Sequence, residues 1–153
     1  MRRRCEGFSL VELLVVMAII AVVLGVAIPS LQKARLNAEE TMVVRELHTI
    51  GQAETQYHSQ FGKYAATLRE LGPPVRGAAD GPQAAHLIPA NLASGEKNGY
   101  MFSMTSEAGG FAVVAIPKVF GSTGRRTFYL DQDGVVHQNW GREPASADSP
   151  EFQ

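Results

Sequence analysis

Residues 7–29 read GFSLVELLVVMAIIAVVLGVAIP, and the reading of this stretch decides the fold. Between residues 8 and 28 the strongly polar side chains are Ser9 and Glu12 alone. A helix rises about 1.5 Å per residue, so the run spans roughly 30 Å, the thickness of a bilayer's hydrocarbon core. No charge follows Glu12 until Lys33, which makes residues 13–28 lipid-compatible throughout. Arg2, Arg3 and Arg4 immediately precede the run, where a cytoplasmic topology signal sits.

Three explanations fit such a segment: a secretory signal peptide that is discarded, a plain uncleaved anchor, or a leader cut ahead of the apolar run so that the run is kept. Glu12 separates them. A carboxylate inside an apolar segment costs up to about 3 kcal/mol at mid-bilayer, which marks it as functional by default. Neither a signal peptide nor a simple anchor needs it.

The string Gly7-Phe8-Ser9-Leu10-Val11-Glu12 resembles the processing site of type IV prepilins and pseudopilins, in which a dedicated peptidase cuts after the glycine and the new N-terminus is methylated. The resemblance implies cleavage between Gly7 and Phe8, N-methylation of Phe8, and a cytoplasmic leader of residues 1–7. Cutting leaves a positive amine on Phe8. In a bundle of staggered identical helices, Glu12 of one subunit meets the Phe8 amine of its neighbour, with little water to screen the pair. Glu12 then sets axial register; the plainer alternative is that it snorkels to the cytoplasmic headgroups. Resemblance continues at Pro29, with Gly25 four residues earlier. Proline removes a backbone donor and glycine is a poor helix former, so residues 25–29 read as a kink or local melting site, or Pro29 simply marks the membrane exit.

Beyond Pro29, Leu31, Ala34, Ala38, Met42, Leu47, Ile50, Ala53, Tyr57 and Phe61 recur mostly at steps of three or four, which predicts a helical apolar stripe. Lys33, Arg35, Glu39, Glu40, Arg45, Glu46 and Glu54 fall between them and predict a solvated opposite face. Gly62 ends the pattern. Residues 67–71 predict a short helical turn, and residues 75–97, rich in Gly, Ala and Pro, an irregular connection. Strands are expected over residues 100–105, 111–117, 126–130 and 135–140, with hairpin turns at Glu107-Ala108-Gly109-Gly110 and Asp131-Gln132-Asp133-Gly134.

The fold class is therefore α+β: a long N-terminal α-helix, membrane-spanning in its first half and amphipathic in its second, packed on a small antiparallel β-sheet, the pilin lollipop. Its parts are a leader (1–7), a transmembrane or filament-core helix (8–28), the amphipathic half (29–61), an αβ-loop (62–97), the sheet (98–140) and a flexible tail (141–153).

Other chemistry is sparse. Asp131, Asp133 and Gly134 form a D-x-D-G string that could lend oxygens to calcium, as in C-terminal loops of some pseudopilins, but residues 135–137 do not continue an EF-hand pattern and a turn is the favoured reading. His48, His58, His86 and His137 lack metal-ligand spacing. No nucleophile elbow or phosphate-binding glycine loop occurs, so no enzyme and no cofactor are expected. A formal net charge of -1, made more acidic by loss of the leader, gives no indication of nucleic acid.

The function implied is a structural subunit of a type IV pilus-like filament: a single-pass inner-membrane protein, N-terminus cytoplasmic and head extracytoplasmic, that polymerises with itself or related subunits. Implied partners are the prepilin peptidase and methyltransferase, the inner-membrane assembly platform with its ATPase, and membrane lipid before assembly. The resemblance equally covers a type II secretion pseudopilin of a periplasmic filament. The Trp-Gly-Asn-Pro type of segment of major secretion pseudopilins is missing, and so is the C-terminal cysteine pair of many pilins. A membrane-anchored binding module with an ordinary anchor is the reading from a different class.

Overall fold

The computed structural model describes residues 8–75, 79–107 and 109–152. The leader and Gly7 lie outside the described residues, as does Ala108 of the first hairpin. The chain divides into two compact units, one ending at Arg35 and one beginning at Leu36.

Helix α1, Leu10–Phe61, runs through both units. In the first unit every described residue is exposed, including the apolar side chains from Leu10 to Ile28. Pro29 lies inside α1, and residues 25–29 are helical. The segment is helical here: one missing hydrogen bond and one ring clash cost about 3 kcal/mol, which the flanking turns of a long helix can bear. At its end, α1 stops where Gly62 takes φ +71° while its amide still bonds the His58 carbonyl at 2.8 Å. Only glycine enters this left-handed conformation cheaply.

In the second unit α1 buries Val43, Val44, Leu47, Ile50, Ala53 and Tyr57. They pack with residues of a five-stranded antiparallel meander: β1 (Glu96–Lys97), β2 (Tyr100–Glu107), β3 (Gly110–Pro117), β4 (Arg126–Asp131) and β5 (Val136–Trp140), paired in chain order. β3 shows why the sheet forms: its inward positions Phe111, Val113, Ala115 and Pro117 alternate with half-exposed ones, the period-2 signature of a strand with one face on a core. All four expected strands are present, with the two-residue β1 added at the edge.

Three expectations are corrected. Met42, assigned to the buried stripe, is 49% exposed, while Glu40 and Glu54, assigned to the solvated face, are fully buried. The helical turn expected at residues 67–71 is α2 (Leu68–Leu71), but residues 75–97 are no mere surface connection: among those described there, α3 (Ala90–Ala93) forms, and Ile88 and Leu92 join Leu68 and Leu71 in the core. Residues 141–152, the described part of the expected tail, do not form a loose one. The Gln138 amide donates to the Pro150 carbonyl and the Phe152 amide to the Val136 carbonyl, both at 2.8 Å, so the segment returns along β5, with Ala145 buried and Phe152 against the core.

Candidate assembly site

The described end of α1 begins with the Leu13 amide donating to the Ser9 carbonyl at 3.2 Å, and Glu12 falls in the first turn. A carboxylate there complements the partial positive charge of the helix N-terminus, so the position is favourable for the backbone as well as for a cationic partner. Phe8 is 78% exposed, and the side chains from Leu10 to Ile28 stand out on all sides of the helix. Such a surface is stable only in lipid or against other helices, because water would have to cover every apolar flank at once. Gly25 faces open space, with nothing within 4 Å of the position a methyl group would take.

The second unit is organised around the two buried acids that sequence reasoning misplaced. Glu40 Oε1 accepts the Arg125 amide at 2.8 Å, and its Oε2 accepts Arg126 Nε at 2.8 Å and Nη2 at 2.5 Å. Arg126 is itself enclosed: Nη1 donates to Gln138 Oε1 at 2.8 Å, and its guanidinium stands 4.7 Å from the Trp140 ring centroid and 5.1 Å from that of Phe152. The pair thus ties α1 to β4, β5 and the returning C-terminal segment.

Glu54 does the same at the other end. Its Oε2 accepts the Ala65 amide at 3.0 Å, while Oε1 is buried without a hydrogen-bond partner. Burial, reinforced by nearby Glu70 and opposed by the Ala65 bond, pushes the Glu54 carboxyl up from 4.5 to about 7. Glu70 Oε2 accepts the Ala66 amide at 3.1 Å and the Tyr57 hydroxyl at 3.2 Å. Burial first, then Glu70, raises the Tyr57 hydroxyl to about 12. Both acids share a register with Val43, Leu47, Ile50 and Tyr57 at helical steps, and that phase was the available signal for finding them.

The D-x-D-G string forms a turn. Asp131 is buried; its Oδ1 accepts the Asp133 amide at 3.0 Å and its carbonyl accepts the Gly134 amide at 3.1 Å. Among the described residues no three metal-ligating side chains come together. The histidines are dispersed: His58 stacks on Tyr64, His86 sits 3.6 Å from Asp80, and His137 Nδ1 lies 2.6 Å from the Ser149 carbonyl.

Residues 2–28 match the family model of the prokaryotic N-terminal methylation motif. Residues 89–149 match a family described as a protein of unknown function, DUF2950. The chain is 38% identical over 69 residues to the type IV wide pilus major component PilA4 of Thermus thermophilus, an alignment covering 45% of this chain and 53% of that protein. It is 31% identical over 75 residues to the type IV major pilin protein PilA of Myxococcus xanthus, covering 48% of this chain and 34% of that one. The chain thus spans about half the length of the first relative and a third of the second. A solved type IV pilin from Shewanella oneidensis aligns at 22% identity with a TM-score of 0.35, over 69% of this chain and 88% of its own. The chain carries the methylation motif and is homologous to type IV pilins over somewhat less than half of its length.

Proposed function

We propose that this chain is a structural subunit of a type IV pilus-like filament. The observation that carries the reading is the methylation motif of residues 2–28, whose part from Leu10 onward lies on a helix that is apolar up to Ile28 and exposed at every described residue there. Prepilin peptidase cuts between Gly7 and Phe8 and the Phe8 amine is methylated. The apolar helix then holds the subunit in the inner membrane, with Arg2, Arg3 and Arg4 having fixed its orientation and the head outside. An assembly platform and its ATPase draw subunits into a polymer, where helix packing replaces lipid contacts.

Glu12 makes assembly selective. In a dry helix bundle an unpaired carboxylate is costly, and the amine of an adjacent subunit's Phe8 removes that cost only at one stagger. Two named relatives being pilus major components favours a pilus over a secretion filament. The head contributes shape and surface rather than chemistry, and the turn at Asp131 and Asp133 closes a hairpin without calcium.

The test is Glu12→Ala in cells. Normal membrane insertion with loss of sheared filaments supports the register role; normal filament yield contradicts that role, while a parent chain that yields no filaments and keeps its uncut N-terminus favours a membrane-anchored binding module.

A further inference from the structure

At the end of the head where β3 finishes, β4 starts and β5 finishes, apolar side chains stand in the open: Val119 is 57%, Phe120 37% and Trp140 63% exposed. The Arg142 guanidinium lies over the Phe120 ring at 5.6 Å, and that of Arg125 lies 5.7 Å from the Trp140 centroid. Arg125 also donates through Nη2 to Asn37 Oδ1 at 2.5 Å, which places this patch level with the first turns of α1 in the second unit.

We propose that this patch docks on the phosphate-bearing surface of the bilayer that holds α1, parking the head against the membrane before assembly. The inference rests on the membrane-held reading above. Its chemistry is that of an interfacial belt: tryptophan concentrates at membrane–water interfaces, where its ring is half in hydrocarbon and its N–H is wet, and arginine grips phosphate through paired donors. Reach supports the occupant. Residues 29–36 separate the apolar run from Asn37, about 12 Å of helix and under about 30 Å even fully extended, so the patch is tethered close to the headgroups of its own bilayer. Docking there covers exposed aromatic surface that would otherwise face water, and extraction into a filament would require its release.

Trp140 is the sole tryptophan of the chain and reports on the patch directly. The full chain is reconstituted into vesicles of phosphatidylethanolamine and phosphatidylglycerol, and insertion of α1 is scored separately by flotation in alkaline carbonate. The proposal predicts blue-shifted Trp140 emission, quenching by lipids brominated near the glycerol end, and protection from iodide, all independent of protein-to-lipid ratio. Arg142→Glu and Phe120→Asp should each reduce the bromolipid quenching while circular dichroism of the head stays unchanged. Water-like, iodide-quenched emission from chains that do float overturns the docking and leaves the membrane reading standing. A shift that grows with protein-to-lipid ratio assigns the patch to a second copy and also overturns it. Chains that fail to float overturn the membrane reading and the docking together.

Discussion

Glu40 on α1 and Arg126 on β4 form a buried ion pair across 86 residues of sequence, with Glu40 fully enclosed and Arg126 Nε 2.8 Å from its Oε2. Both oxygens of the carboxylate are engaged, since Oε1 takes the Arg125 amide. Removing one member leaves the other as an uncompensated buried charge. Glu40→Ala should therefore destabilise the head by about 3–5 kcal/mol, with Glu40→Gln costing less because it still accepts a hydrogen bond. Denaturant unfolding measures both; an Ala variant within 1 kcal/mol of the parent, as a merely exposed pair would give at about that size, would refute the coupling.

Glu54 predicts an unusual pH dependence. Its folded carboxyl titrates near 7, above the ordinary 4.5, so the folded head holds a proton that the unfolded chain has released. Stability from this group is fully present below pH 4.5, declines as pH rises toward 7 and levels off above it, a change on the order of 3 kcal/mol. Melting temperature measured from pH 8 down to pH 5 should rise, and Glu54→Gln should flatten the profile. A parent profile already flat over this range would mean that Glu54 is ionised at no cost.

Gly124 packs where no side chain fits. A methyl group there would stand 1.9 Å from the Tyr100 hydroxyl, which donates to the Arg126 carbonyl at 3.0 Å beside the Glu40 pair. Gly124→Ala should cost about 1–3 kcal/mol through overpacking. Gly25→Ala meets nothing within 4 Å and should leave head unfolding unchanged while favouring the helix by about 1 kcal/mol. Equal melting temperatures for Gly124→Ala and the parent would contradict the close contact.

The turn at Asp131 is satisfied by backbone amides of Asp133 and Gly134 acting on its side chain and carbonyl. Calcium at millimolar concentration, compared with chelator, should leave the melting temperature of the head unchanged, whereas Asp131→Ala should lower stability by about 1 kcal/mol. A calcium-dependent rise would reopen the D-x-D-G string as a metal site.

The parts of the fold written in local pattern were legible: the unbroken apolar run to Ile28, the alternation of Phe111, Val113 and Ala115, and the hairpin residues Asp131 and Gly134. Glu40 and Glu54 were not, because a carboxylate defaults to solvent and only a partner outside the helix, Arg126 for Glu40 and the Ala65 amide for Glu54, offsets its burial. The C-terminal segment misled for a related reason. Its Pro, Ser, Ala and Asp composition resembles a solvated tail, but Ala145 and Phe152 anchor it and β5 offers an open edge for its backbone. For the candidate assembly site, the roles of Phe8 and Glu12 come from the resemblance carried by the string Gly7–Glu12, and the structure adds that Glu12 lies in the first turn of α1.

The central claim is that the apolar helix is kept and used, with a new N-terminus made at its head. Mass spectrometry of the intact chain and its N-terminal peptide, from protein sheared off cells and from membranes, tests this most directly. A chain beginning at N-methylated Phe8 in the sheared fraction is the predicted result. A chain that retains Met1, or one cut beyond Ile28, would contradict it.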